Sequence, residues 1–296
     1  MRYIITLLLA ATPSLARAEV PAVVTDIPPV HALVASVMGD LGQPELLLAK
    51  GADEHDFQLK PSQARAVADA GLVVWIGPEL TPWLADALDT RPDGAASLAL
   101  LDNGATKRMA YAESGKGATD REDDGTDPHV WLDPENAKAW LPLIAADLSR
   151  LDPDNAATYA TNAAKAAEQI TALDAELAAL LAPVKGKPIV AYHAAYGYFA
   201  SHYGLDFADS IALGDAASPG AARLAGLRAK LEAGDILCIF PEAQHDPDLL
   251  RQMAEGTGTK IGGAIDPVGS SLDPGPGAYA ALLRGIATTL ADCVAG

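Results

Sequence analysis

The chain is 296 residues long, 50% hydrophobic, and carries a formal net charge of −18. So acidic a surface repels nucleic acid and anionic lipid while concentrating cations, which excludes a polyanion binder and favours a cationic ligand. Two cysteines are too few for a good zinc site of their own, and in an oxidising compartment an even pair suggests a disulfide.

The chain opens MRYIITLLLAATPSLARAEV. Arg2, an apolar run from Tyr3 to Ala11 and the small-x-small pattern Ala16-Arg17-Ala18 read as a secretory signal cleaved after Ala18, too short to span a bilayer. No Leu-x-x-Cys lipobox follows, and no later window offers the roughly 20 uninterrupted apolar residues of a membrane helix. A periplasm-like location is the simplest fit. The mature length exceeds what one core usually serves, so two domains are expected.

Short apolar runs then alternate with helical patterns: AVVTDI (22–27), PELLLA (44–49), LVVWIG (72–77), PIVAY (188–192), FADSIAL (207–213), ILCIF (236–240) and KIGGAI (260–265). This is the βαβ rhythm of parallel α/β lobes. The stretch 105–128 is polar and poor in aliphatics and is expected to be a mobile surface loop. The alanine-rich 153–184, bounded by Pro153 and by Pro183 with Gly186, predicts one helix of about 45 Å that spans both lobes. The expected organisation is a signal at 1–18, an N-terminal α/β lobe at 19–152, a linking helix at 153–184 and a C-terminal α/β lobe at 185–296. A helix, a strand and Pro-Glu occur in the same order in 61–79 and 218–242, a faint echo between the lobes.

His55 follows a strand by a few residues, His193 ends one directly, and so does Asp266; ligands of parallel sheets bind at such carboxyl ends. His129 lies in TDPHVWLDPENAKAW, with Asp133 placed to cap a helix that starts near Pro134. Three imidazoles and one carboxylate suit tetrahedral Zn²⁺ better than Mn²⁺, Mg²⁺ or Ca²⁺, which prefer oxygen. Each histidine on its own also reads as an ordinary loop residue, so the residues alone reach a candidate metal site and no further.

The motifs GADEHDFQLKPSQ, LVVWIGPEL, DPHVWLDPENA, AYHAAYGYFASHYGL, ILCIFPEAQ and AIDPVG, in this order over nearly the whole mature chain, resemble the periplasmic zinc-uptake solute-binding proteins of ABC transporters. The resemblance implies two parallel-sheet α/β lobes bridged by one long helix, with the metal site in the cleft between them. It implies His55, His129 and His193 as imidazole ligands, and Asp266 as the carboxylate ligand or its near-contact. It also implies a disulfide between Cys238 and Cys293. The expected protein is a monomeric carrier, not an enzyme, with Zn²⁺ as transported ligand, a membrane permease as partner and no nucleic acid. One departure is that 105–128 lacks the histidines many zinc members carry there and instead holds Asp120, Glu122, Asp123, Asp124 and Asp127.

The alternatives are a Mn²⁺ or Fe²⁺ carrier on the same scaffold, a secreted zinc hydrolase with Glu54 as general base, and a surface adhesin with incidental metal. Against the hydrolase, no HExxH occurs. Glu54 is left to orient His55, to enter the coordination sphere or to face water. His31 is expected to line the cleft, His202 to sit at a helix end, and His245 to be a rim residue or one that supports the ligands from behind.

Overall fold

The computed structural model describes residues 20–55, 57–110, 125–212 and 219–296. The signal and its cleavage site, Asp56, and the acidic run through Asp120, Glu122, Asp123 and Asp124 lie outside these residues.

The first lobe runs β1 (Val23–Thr25), α1 (Pro28–Met38), β2 (Glu45–Leu46), α2 (Pro61–Asp69), β3 (Leu72–Trp75), α3 (Pro82–Leu88) and β4 (Ala96–Ala99), followed by α4 (Pro134–Leu151). The long helix α5 (Ala156–Leu180) follows. The second lobe runs β5 (Pro188–His193), α6 (Gly197–Tyr203), β6 (Asp206–Ala212), α7 (Ala221–Ala233), β7 (Cys238–Ile239), α8 (Asp248–Ala254), β8 (Lys260–Ile261) and α9 (Ala278–Ala295). Among the described residues the strands form two four-stranded sheets, in the orders β2-β1-β3-β4 and β6-β5-β7-β8. All their pairings are parallel. The two orders are the same once each lobe is numbered from its own first strand, so the faint sequence echo falls on equivalent elements, α2–β3 and α7–β7.

Strand alternation divides the apolar side chains between two faces. Leu72 and Val74 of β3, Ile189 and Ala191 of β5, and Cys238 of β7 enter one large core. Val73 and Trp75 pack outward with Val67 and Leu84, and Val190 and Ile239 pack outward with Leu227, Leu231 and Leu250. Burial on both faces is what a parallel sheet requires, and it explains runs with no polar alternation. The large core also takes in residues of α1, α4, α5 and α9, so it continues from one lobe into the other.

The linking helix is shorter than its alanine-rich stretch predicts. α5 has 25 residues, about 37 Å at 1.5 Å per residue, and 3₁₀ turns at Pro153–Asn155 and Ala182–Val184 close its ends. Pro153 and Pro183 favour those tighter turns, in which the ring's missing N–H costs nothing. β4 carries no sequence signal at all, because its residues Ala-Ser-Leu-Ala include no β-branched or aromatic side chain. α9 is long and apolar enough to cross a membrane by length and composition. However, its Leu282, Leu283, Ile286 and Leu290 are buried in the shared core.

Cys238 and Cys293 form a disulfide that ties α9 to β7 across a sequence separation of 55 residues. Closing such a loop stabilises by about 4 kcal/mol in the chain-entropy treatment, an upper figure where the unfolded chain keeps structure.

Candidate metal centre

Four loops bring their side chains to the carboxyl ends of the strands. In each sheet the strand order reverses beside the first strand, between β1 and β3 and between β5 and β7, which is where ligand crevices form in open parallel sheets. His193 ends β5, and Glu242 comes three residues after β7. His55 comes from the loop after β2. His129 comes from the segment that returns from β4 to α4, whose start is fixed by Pro134 and by the Asp133 carboxylate accepting the Glu135 N–H at 3.0 Å.

Glu54, His55, His129 and His193 each turn a potential ligand atom to a common point, all within 4.8 Å of one another. The ring centroids of His55, His129 and His193 are 5.2–5.9 Å apart. His129 Nε2 and His193 Nε2 are 3.3 Å apart. Zinc–nitrogen bonds of 2.0–2.1 Å in a tetrahedron separate neighbouring ligand atoms by about 3.3–3.4 Å, so this edge already has the required length.

The opposite nitrogens explain how the rings are aimed. His129 Nδ1 is 2.7 Å from Asp127 Oδ1, and His193 Nδ1 is 2.6 Å from Glu242 Oε2. An ionised carboxylate only accepts, so each Nδ1 carries the proton, and each Nε2 is left for a metal or, in its absence, for a second proton. The carboxylates are themselves fixed. Asp127 Oδ1 accepts the His129 N–H at 2.9 Å, while Glu242 Oε1 accepts from the His193 N–H at 3.3 Å and Tyr196 OH at 3.2 Å. A Cβ at Gly197 would come within 2.9 Å of Asp127 Oδ2, so the first residue of α6 leaves room for that carboxylate.

Glu54 is 2% exposed and its Oε1 is 3.9 Å from His55 Nε2. Burial pushes its carboxyl up to about 8, against the pull of His193. Burial also opposes charge on His193, but Glu242 outweighs it and lifts the imidazole to about 9. The loop itself is anchored by Asp53 Oδ1 accepting the His55 N–H at 2.8 Å and by Trp83 Nε1 donating to the Glu54 carbonyl at 3.0 Å. A buried set of three imidazoles and one carboxylate can hold a single tetrahedral cation.

The family model for zinc-uptake complex component A, periplasmic, matches residues 23–293. The chain is a member of this zinc-uptake family. It is 51% identical to the high-affinity zinc uptake system protein ZnuA of Paracoccus denitrificans (strain Pd 1222), over 94% of this chain and 93% of that protein. A crystal structure of ZnuA superposes with a TM-score of 0.76 at 26% identity, covering 92% of this chain and 99% of that one. FpvC of Pseudomonas aeruginosa in complex with Mn²⁺ shares the fold, with a TM-score of 0.80 at 20% identity, over 93% and 99% of the two chains.

In this member of the zinc-uptake family, Asp266 is not brought into the four-residue group. Its Oδ1 accepts from Gln244 Nε2 at 2.6 Å and from the N–H groups of Gly269 and Ser270 at 2.7 and 3.2 Å. Its Oδ2 accepts from the N–H and hydroxyl of Ser271 at 2.9 and 2.6 Å. These five donors make it the organiser of the turn after β8, and Glu54 is the carboxylate in the cluster instead.

The remaining histidines separate by partner. His31 is buried with Nε2 3.1 Å from the Pro44 carbonyl, and burial lowers its pKa. His202 is held between Asp133 and Asp174. His245 lies on the rim, its ring stacked on Tyr192 with centroids 4.1 Å apart. The expected surface loop at 105–128 ends differently from its polar composition, because Asp127 is 1% exposed and Met109 N–H donates to Tyr198 OH at 2.7 Å. Sequence reasoning assigned no role to Asp127 or Glu242. The available signals were an aspartate two residues before His129 and a glutamate just past the strand beside β5.

Proposed function

We propose that the protein is an exported carrier that binds one Zn²⁺ in the interlobe cleft through His55, His129, His193 and Glu54, and delivers it to the membrane permease of an ABC transporter. The observation that carries this reading is the 3.3 Å separation of two imidazole Nε2 atoms whose partner nitrogens are already bonded to carboxylates. Two such lone pairs repel each other unless a cation or a proton lies between them. The carboxylate–histidine–metal relay that results raises ligand basicity and fixes ring orientation.

Three imidazoles favour zinc over manganese, which takes oxygen-rich sets. Four protein donors close a tetrahedron and leave no position for an activated water, which favours carriage over hydrolysis. Asp266 supports the site from outside by holding the 266–271 turn. The domains are those read from the sequence, lobes 19–152 and 185–296 joined through 153–184, with the signal removed after Ala18 and the mature chain in the periplasm. Delivery uses a monomer. Among the described residues Ile261 is the exposed large hydrophobic, so no broad apolar face there calls for a second copy.

Calorimetry on the mature protein tests the assignment. One tight Zn²⁺ event is expected, and His129→Ala or His193→Ala should weaken it at least about 100-fold, since each removes a ligand and deprives a buried carboxylate of its imidazole partner. Unchanged zinc affinity in both variants would sink the assignment, and tighter binding of Mn²⁺ than Zn²⁺ would favour the manganese carrier.

A further inference from the structure

The four-residue cluster is buried, and a hydrated cation needs a route to it. We propose that His245, with Asp53 and Glu242, forms a second zinc-coordinating station at the mouth of the cleft, through which Zn²⁺ enters the buried set and leaves it. The station rests on the zinc reading above.

His245 Nε2 lies 4.0 Å from Asp53 Oδ2 and 3.8 Å from Glu242 Oε2. Zinc bonds of 2.0–2.2 Å place tetrahedral neighbours about 3.3–3.6 Å apart, so His245 already stands close to the required separation from each carboxylate, and the partly exposed Asp53 side chain is the group that must swing in to complete the set. The His245 and Asp53 side chains are 27% and 26% exposed, whereas Glu242 is at 0%. Two ligands therefore face solvent and one faces the interior, an order suited to stepwise dehydration.

The station also joins the lobes. Asp53 belongs to the loop after β2, while Glu242 and His245 belong to the segment after β7. The His245 ring is not free to wander, because it stacks on Tyr192 at an interplanar angle of 16°, and Tyr192 immediately precedes His193 in β5. Its centroid is 6.4 Å from that of His193, one short step from the buried set.

Both carboxylates serve the two places at once. Asp53 accepts the His55 N–H through Oδ1 and turns Oδ2 to His245. Glu242 Oε2 accepts from His193 Nδ1 at 2.6 Å, and a carboxylate oxygen has a second lone pair for an ion on the His245 side. Three protein ligands leave a water position open, so the station holds zinc more weakly than the closed set of four. A transfer point needs that difference.

The test uses the mature protein, Zn²⁺ alone as ligand, and the variants His245→Ala and His245→Gln, the second preserving bulk on Tyr192. Calorimetry of the wild type should show a tight event and a second one at least about 100-fold weaker. Both variants should keep the tight event and lose the weak one. In stopped-flow transfer of bound zinc to a chelator, both should slow by about tenfold. A weak event that survives His245 replacement, or a transfer rate equal to wild type, overturns the station. Failure of the wild type to show the tight event would instead overturn the carrier reading itself, so the two failures are distinguishable.

Discussion

At His129 and His193 the same arrangement recurs, a carboxylate on Nδ1 and Nε2 turned to the metal point. Replacing Asp127 by Asn or Glu242 by Gln keeps the volume and removes the charge that makes the imidazole a strong donor. Each should cost 10–100-fold in zinc affinity by competition titration, with far-UV circular dichroism unchanged. A second consequence concerns protons. Without metal, Glu54 is raised to about 8, chiefly by burial, and His193 to about 9, where Glu242 overcomes burial. At pH 7 both groups hold protons that Zn²⁺ must displace. Zinc affinity should therefore rise with pH up to about 9, a window higher than the ordinary histidine value near 6.5 suggests. Calorimetry in buffers of different ionisation enthalpy should register proton release at pH 7, and zero release would refute it. That His55, His129 and His193 come together was legible in the sequence, because each follows a strand or comes just before a helix. Glu54 could be seen but not assigned, since nothing in GADEHDF tells which of three carboxylates turns inward. Asp127 was hidden because an aspartate at the end of an acidic run looks like solvated charge. Asp266, at a strand end, reads as a carboxylate ligand or its near-contact; here it lies outside the four-residue group and takes its donors from the Gly269–Ser271 turn.

Among the elements, seven of the eight described strands fall in the short apolar runs, and the signature is cleanest for β1, β3 and β7, which are buried along their whole length. β4 lacked it, and α5 starts later than its alanine-rich stretch suggests because Pro153, which could as well have lain in the first helical turn, sits in a separate 3₁₀ turn. Less legible was the way His202, near the end of α6, fastens two other helices. Its Nδ1 is 3.1 Å from Asp133 Oδ1 at the start of α4, and its Nε2 is 2.8 Å from Asp174 Oδ1 in α5. The Asp133 bond, against partial burial and with help from Asp174, raises the imidazole above its ordinary value. Lys107 also faces Asp133 at 3.4 Å. A folded pKa above the unfolded one means that the stabilisation is fully present below about pH 6.5 and is lost as pH rises through the folded value. His202→Ala should thus destabilise most in mildly acidic solution, and the gap from wild type should narrow as pH rises. Urea unfolding of both proteins across that range checks it. A gap that widens with pH would contradict the assignment.

For the whole molecule, the decisive feature is that one core runs through both lobes. α1, α4, α5 and α9 share it with the inner faces of both sheets, and the disulfide holds α9 on β7. Neither lobe keeps a complete core if the other unfolds, so the mature chain should unfold in a single transition although it exceeds the size at which two-state behaviour is usual. Zinc then acts on that one transition, because His55 and His129 precede α5 in the chain and His193 follows it. An ion that binds only the folded state stabilises by RT ln(1 + [L]/Kd), about 4 kcal/mol at a thousandfold excess over Kd. Scanning calorimetry should show one peak without zinc and one peak at higher temperature with it. In His129→Ala the metal-free peak should fall, because buried Asp127 loses its imidazole partner, and the zinc-dependent shift from that lower peak should largely disappear. Two separate peaks in the metal-free protein, with zinc moving only one of them, would mean that the lobes fold independently and that the shared core does not couple them.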